Sequence, residues 1–313
     1  KTAGFITPGH EEIELALVKL YRCTGEKRYL ELSKFFIDNR GKDDPKTYYP
    51  WANAKYAKDH LPVRRQSTAE GHSVRATYLY CGMADLAYEY GDQELFDACR
   101  RIFENIVNRR MYITGGIGSS HVGEAFTIDY DLPNLTAYAE SCAGIGLALF
   151  AKRMLSMDAD ALYADIAERI IYNGFLSSIS LNGRAFFYEN PLEIDPRLHK
   201  RDASVGDGTT RFPLMERKEV FDCSCCPPNV TRFIASIGDM FYTYNEDTVF
   251  VHHYASNTAK IFHGGRDIII RHETKYPLDG NVKIYADGVA GMKLAIRIPY
   301  WCEGIFKIRQ KGS

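Results

Sequence analysis

Through the first two-thirds of the chain, apolar positions recur every three to four residues, the spacing of amphipathic helices. His10 to Tyr21, HEEIELALVKLY, predicts one helix, and RYLELSKFFID after Thr24-Gly25 predicts its antiparallel partner. The pattern returns over GHSVRATYLYCGMADLAYEYGDQELFDACRRIFENIV, where Gly91 and Asp92 separate a helix over Tyr78 to Tyr90 from one over Leu95 to Val107. A third pair runs from Thr136 to Ile179 and turns near Asp158 and Asp160. The turns fall near residues 25, 91 and 159, so a two-helix unit repeats roughly every 66 residues. A seventh helix is expected after Pro227-Pro228, with Asn229 as its N-cap and Phe233, Ile237, Met240 and Phe241 on one face.

After about Asp247 the period changes. The runs TVFVHHY, TAKIFHG, DIIIRHETKY, NVKIYAD and MKLAIRI are short, alternate apolar with polar, and are separated by Gly, Asp and Pro. They predict a β-sandwich over 247–313, unfinished at Ser313, behind a helical domain over 1–246. The fold class is therefore α+β and multidomain. Residues 40–70 and 195–220 interrupt the helical part as polar loops able to wall a site. The start on Lys1, without Met or a signal-like segment, suggests a trimmed N-terminus.

Charge narrows the choice of partner. With 39 Lys and Arg against 40 Asp and Glu, no net field favours nucleic acid or an anionic membrane, and no run of about 18 apolar residues would span a bilayer. A small neutral ligand fits better, and 21 Tyr with 17 Phe suit sugar stacking as well as core filling. Eight cysteines in so long a chain do not form a small disulfide scaffold; their clustering points to metal or catalysis in a reducing compartment. The expected location is cytoplasmic, with the periplasm as the alternative.

The densest chemistry is FDCSCCPPN, Phe221 to Asn229, with Cys223, Cys225 and Cys226 at a helix N-terminus. Neighbouring thiols of this kind suit a thiolate nucleophile or a soft metal, although buried cysteines also serve as small hydrophobes. His10, His72 and the Glu140-Ser141-Cys142 group occupy equivalent places near the starts of the first helices of the pairs, so the repeat brings them to one mouth. Glu140 and Cys142 with Cys225 and Cys226 form a carboxylate and three thiols, a set suited to tetrahedral zinc. Spacing alone favours a structural zinc. The segment TGGIGSSHVGEAFTIDYDLPN lacks the Lys-Ser/Thr of a phosphate loop, but it carries Glu124, Asp129 and Asp131, and an acid on such a loop can protonate a leaving oxygen.

In order along the chain, GHEEIELALVKLY, GHSVRATYLYCGMADLA, TGGIGSSHVGEAFTIDYDLPN, AYAESCA, FFYENPLE and CSCCPPN resemble the bacterial glycoside hydrolase family 127 β-L-arabinofuranosidases and their close relatives. The match runs over most of residues 8–262. The resemblance implies an (α/α)6 barrel followed by β-sandwich domains, a bound zinc, and retaining hydrolysis of terminal β-L-arabinofuranosides. Carried over by motif, Glu124 is the acid/base, Glu140, Cys142, Cys225 and Cys226 hold zinc, and Cys225 is the nucleophile. His10, His72, Tyr188 and Cys223 line the sugar pocket. Members of the family are roughly twice as long and have barrel helices before Lys1, so the helical toroid is incomplete here. The implied partner is an arabinofuranoside-containing oligosaccharide or glycoconjugate, with homodimerisation left open. Three rival readings remain: Glu140 as nucleophile, another furanoside or a pyranoside as substrate, and a zinc-stapled carbohydrate-binding or scaffold protein without turnover.

Overall fold

The structure, a computed structural model, describes residues 6–42, 53–197, 216–221, 223, 225–302 and 304–310. Residues 43–52 and 198–215 of the two predicted loops, and Asp222 and Ser224 beside the cysteines, lie outside the described residues.

Among the described residues seven α-helices form: α1 (Ile13–Thr24), α2 (Lys27–Asn39), α3 (Ser73–Tyr90), α4 (Gln93–Arg109), α5 (Ser141–Leu155), α6 (Ala161–Arg169) and α7 (Cys226–Ser236). The first six pair as expected. Gly25 and Gly91 end α1 and α3 in the left-handed conformation, which lacks steric penalty only for glycine. Asp92 and Asp160 start α4 and α6 by accepting hydrogen bonds from the Leu95 and Leu162 amides.

Burial sorts the helices into two layers. Nearly every side chain of α3 and α5 is buried, whereas α4 buries one face only, so α3 and α5 are inner helices and α4 an outer one. Small residues let inner neighbours approach closely: a Cβ on Gly146 of α5 would stand 2.1 Å from the Thr77 hydroxyl of α3, and one on Gly82 of α3 would stand 2.9 Å from Glu14 of α1. The inner helices lie side by side in the order α1, α3, α5, α7. Between the layers Tyr80, Phe150, Phe103 and Tyr163 pack ring on ring, with centroids 4.9–5.6 Å apart.

The start of α7 differs from expectation. The helix opens at Cys226 with Cys225 at its N-cap, and Pro227 and Pro228 fall inside its first turn. Proline is tolerated there because first-turn amides have no intrahelical acceptor, so Asn229 is a buried helical residue and not the cap. This shift seats two of the cysteines on the helix terminus itself.

Six strands follow: β1 (Tyr242–Tyr244), β2 (Thr248–Val251), β3 (Asn257–His263), β4 (Arg266–Thr274), β5 (Val282–Asp287) and β6 (Lys293–Ile296). One sheet has the order β1-β2-β6, with β2 and β6 parallel, and the other is an antiparallel β3-β4-β5 meander. β1 is not among the runs picked out by alternation; it has only three residues and starts directly after the last helical turn. Val249 from one sheet and Ile268 and Ile270 from the other are buried together, joined by Tyr242, Ile261, Ile284 and Leu294. Arg297, just past β6, ties this part to α6 by pairing with Asp165 and Glu168. No helix among the described residues is long and apolar enough to cross a membrane.

Candidate active site

Each inner helix begins at the same end of the layer, and its first residues carry the chemistry. His72 is the N-cap of α3, Glu140 that of α5 and Cys225 that of α7, while His10 stands three residues before α1. The convergence expected from the repeat is thus built by four helix N-termini, whose partial positive charge favours anionic groups.

Glu140, Cys142, Cys225 and Cys226 place one ligand-type atom each within 4.8 Å of one another. Cys142 Sγ lies 3.3 Å from Cys226 Sγ and 3.9 Å from Cys225 Sγ, and the two neighbouring cysteines are 3.8 Å apart. Glu140 Oε1 is 3.5 Å from Cys225 Sγ and 3.8 Å from Cys226 Sγ. A tetrahedral zinc with Zn–S bonds of about 2.3 Å has S···S edges of about 3.8 Å, so the set has the size of one coordination shell. Glu140 Oε2 is buried without a hydrogen-bond partner, which a cation would supply. The residues therefore fit a soft divalent metal.

The four ligands are not equivalent. Glu140, Cys142 and Cys226 are buried, whereas Cys225 is exposed. Burial first, and then the Cys225 and Glu124 charges, push the Glu140 pKa well above the usual carboxylate range. Hydrogen bonds from Cys142 and then Cys226 pull the Cys225 thiol far down against its partial burial. The exposed thiol is thus the one of the three whose ionised form its neighbours favour.

Glu124 faces this cluster from the loop after α4. Its Oε2 is 2.7 Å from His72 Nε2, and its Oε1 accepts from the Tyr138 hydroxyl at 2.5 Å, with the Tyr188 hydroxyl at 3.3 Å. The bond to His72 lowers its pKa most; burial opposes this, and the bonds to Tyr138 and Tyr188 support it. Tyr188 also lies 3.2 Å from Cys225 Sγ, so its hydroxyl stands between carboxylate and sulfur. Cys225 and Glu124 therefore flank one hydroxyl and are no farther apart than the sum of those two contacts. Glu124 has φ +52° and Ala139, just before Glu140, φ +41°, so both carboxylates are aimed by backbone that side-chain-bearing residues rarely adopt.

Local packing explains why these motifs travel together. The FFYEN segment lies along Ala139 to Ser141: Ser141 donates from its amide to the Tyr188 carbonyl and from its hydroxyl to the Phe187 carbonyl, and Asn190 donates to the Ala139 carbonyl at 2.9 Å. Of the other expected pocket residues, His10 is exposed at the rim, its pKa lowered first by partial burial and then by Arg75, with His72 close enough to add to the effect. Cys223 is exposed and donates toward Cys225. Asp129 is drawn away from the mouth by Arg110, Arg109 and Asn105 and is a structural anchor for its loop. Two residues were not singled out from the sequence. Tyr138 sits two residues before Glu140 inside AYAESC, and Tyr56 packs edge-on to His72 at 5.8 Å under the Arg75 guanidinium.

Residues 2–239 match the family model described as β-L-arabinofuranosidase, GH127 catalytic domain, and residues 248–313 match that of the GH127 middle domain. The chain belongs to glycoside hydrolase family 127. It is 40% identical over 327 aligned positions to a non-reducing end β-L-arabinofuranosidase of Bifidobacterium longum subsp. longum, covering 97% of this chain and 48% of that one. Among solved structures it is similar to a family 127 β-L-arabinofuranosidase from Geobacillus stearothermophilus T6, with 44% identity, a TM-score of 0.87, and coverage of 95% of this chain and 48% of the other. A second family 127 β-arabinofuranosidase superposes with a TM-score of 0.82 at 41% identity, over 95% of this chain and 43% of that one. The chain thus spans about half the length of the curated relative it matches.

Proposed function

We propose that this chain carries the catalytic centre of a retaining glycosidase that removes terminal β-L-arabinofuranosyl residues, with Cys225 as nucleophile and Glu124 as acid/base. The observation that carries the reading is the asymmetry of the cluster: of four converging ligands, only Cys225 is exposed, and it shares the Tyr188 hydroxyl with Glu124. Glu140 is a poor rival nucleophile because it is buried and its pKa is raised. Family membership supports the furanoside class of substrate.

Glu140, Cys142, Cys225 and Cys226 would hold zinc, which keeps bound thiols ionised and neutralises a buried carboxylate. The Cys225 sulfur attacks the anomeric carbon as the glycosidic C–O bond breaks, and Glu124 gives its proton to the departing oxygen. His72 Nε2, 2.7 Å away, pairs with the Glu124 carboxylate that this transfer leaves. In the second half Glu124 takes a proton from water, the water oxygen bonds to the anomeric carbon, and the C–S bond breaks. Tyr138 and Tyr188, whose pKa values are raised chiefly by burial, stay protonated and orient the carboxylate. His10, His72, Tyr188 and Cys223 would contact the sugar. For the architecture we propose a helical part of (α/α)6 type whose inner ring includes α1, α3, α5 and α7, followed by a β-sandwich, with the boundary at or just before residues 246–247.

The test is covalent trapping in the full-length protein. A slow β-L-arabinofuranosyl donor, followed by proteolysis and mass spectrometry, is expected to place the sugar on the peptide containing Cys225. A label on Glu140, or turnover of an aryl β-L-arabinofuranoside by Cys225→Ser at near-wild-type rate, would overturn the assignment.

A further inference from the structure

A second concavity lies away from the cysteines. A cleft of about 680 Å³ opens between the end of α6 and the sheet part. Tyr172, Tyr276, Tyr300 and Trp301 give it aromatic walls, and Thr114 and Asn173 line its helical side.

Its charges are already matched. Glu168 accepts from Arg297, from the Tyr276 hydroxyl at 2.7 Å and from the Trp301 indole N–H at 3.2 Å. Asp165 accepts from Arg297 and from the Tyr300 amide. Arg169, the one cation lining the cleft, donates to the Tyr300 hydroxyl at 2.7 Å. Asp165 and Glu168 against Arg297 and Arg169 leave the cleft with no net charge, so no field there selects an ionic ligand. What remains open to a ligand is neutral: the Tyr172 hydroxyl, the Asn173 side-chain carbonyl and the Thr114 hydroxyl donate to or accept from no other described group at those positions beyond a 3.4 Å contact from the Gly116 amide to Thr114. Tyr276 and Trp301 lie at 26° to each other with centroids 6.2 Å apart, and Trp301 is half exposed. Aromatic faces flanked by neutral hydrogen-bonding groups are the chemistry that holds a sugar ring, whose C–H face is apolar and whose edge is hydroxylated.

The cleft is also at the same end of the helical layer as the catalytic cluster. α6 returns antiparallel to α5, so Arg169 and Tyr172 come back to the end where Glu140 begins α5. Gly115 and Gly116 form the partition. A Cβ on Gly115 would stand 2.8 Å from Ile170, beside the cleft, and one on Gly116 would stand 2.9 Å from the Ala139 Cβ, beside Glu140. One branched glycan could therefore reach both places.

We propose that this cleft is a second, non-catalytic site for a neutral sugar unit, holding the glycan whose terminal residue enters the catalytic centre. The proposal concerns binding and stands apart from the hydrolytic assignment, whose failure would appear as absent turnover. The test is equilibrium dialysis of radiolabelled methyl β-L-arabinofuranoside and methyl β-D-galactopyranoside against full-length Glu124→Gln protein. At least one of the two sugars is expected to occupy the cleft, giving a binding equivalent that Trp301→Ala removes and Tyr172→Phe weakens by about 3- to 10-fold, the effect of one hydrogen bond. Trp301→Ala in the otherwise intact protein should leave turnover of a small aryl arabinofuranoside within about 2-fold, since the residue touches nothing in the catalytic cluster. Binding of both sugars left unchanged by Tyr172→Phe, or no equivalent sensitive to Trp301, would overturn the proposal; should Trp301→Ala fail to fold, Tyr172→Phe decides alone.

Discussion

Two buried groups of ionisable side chains handle charge in opposite ways. In the first, Glu11, Glu14 and Asp59 surround Arg40, which is fully buried and pairs with all three at 3.2–3.4 Å. Lys58, also fully buried, pairs with Glu11 at 2.9 Å. Here the chain supplies its own cations: burial pushes Glu11 up, but Lys58 and Arg40 more than offset it and leave its pKa lowered. In the second, Glu140, Cys142, Cys225 and Cys226 converge with no Lys or Arg pairing among the described residues, and the neighbouring charges of Cys225 and Glu124 raise Glu140 further. The first group holds two buried cations of its own, although burial still leaves Glu14 raised, and the second holds none among the described residues, which supports the proposed metal site. The compensated group has its own use. It holds the turn of Tyr56, Ala57 and Lys58, with Lys58 at φ +58°, against α1 and α2, and so fixes the Tyr56 ring beside His72.

Four perturbations would break or sharpen this contrast. The largest effect is expected at the exposed sulfur. Cys225→Ser in the full-length protein should lower kcat by about 10³-fold or more, on the order of 4 kcal/mol of transition-state stabilisation, in steady-state assays. Next, Arg40→Met leaves Glu14 without a cation and should destabilise the fold by about 3–5 kcal/mol in urea unfolding; a loss below about 1 kcal/mol would mean that the ion network is idle.

Lys58 offers a smaller, pH-resolved effect. Burial lowers its pKa to about 8 from an ordinary 10.5, so between those values the unfolded chain binds more protons than the folded one. Stability should therefore rise with pH across that window, relative to a Lys58→Met variant that lacks the term, by on the order of 3 kcal/mol. The smallest effect is expected for Tyr138→Phe, which removes a donor from Glu124. Its carboxyl, held below the usual 4.5, should titrate at higher pH, and the limb of the rate profile that reports it should move upward. Because the folded pKa lies below the unfolded one, the stability this group adds is present above about pH 4.5 and is lost as pH falls through the folded value.

Helix pairing was legible in the sequence because Gly25, Gly91 and the capping aspartates Asp92 and Asp160 punctuate a strong apolar period. The convergence at the mouth followed from the repeat, since residues at equivalent phase in successive units share an end of the layer. The exact start of α7 was not legible. Two prolines read as a break before a helix, yet they are equally at home in its first turn, and only the packing of Cys226 against Cys142 chooses between these. β1 was hidden because three residues cannot display alternation. The buried network was hidden for a different reason: Arg40, Lys58 and Asp59 stand in a polar stretch, and sequence alone reads such charges as solvated. Which cysteine is exposed was likewise a property of three-dimensional packing.

The central claim, that the uncompensated group awaits a cation, is tested most directly by metal content. Full-length protein, purified without added metal and without chelator, should carry one zinc per chain by inductively coupled plasma mass spectrometry, and Cys142→Ser or Cys226→Ser should lose it while Arg40→Met that remains folded keeps it. A wild-type protein that is folded and active with no bound metal, or zinc retained in both cysteine variants, would contradict the account.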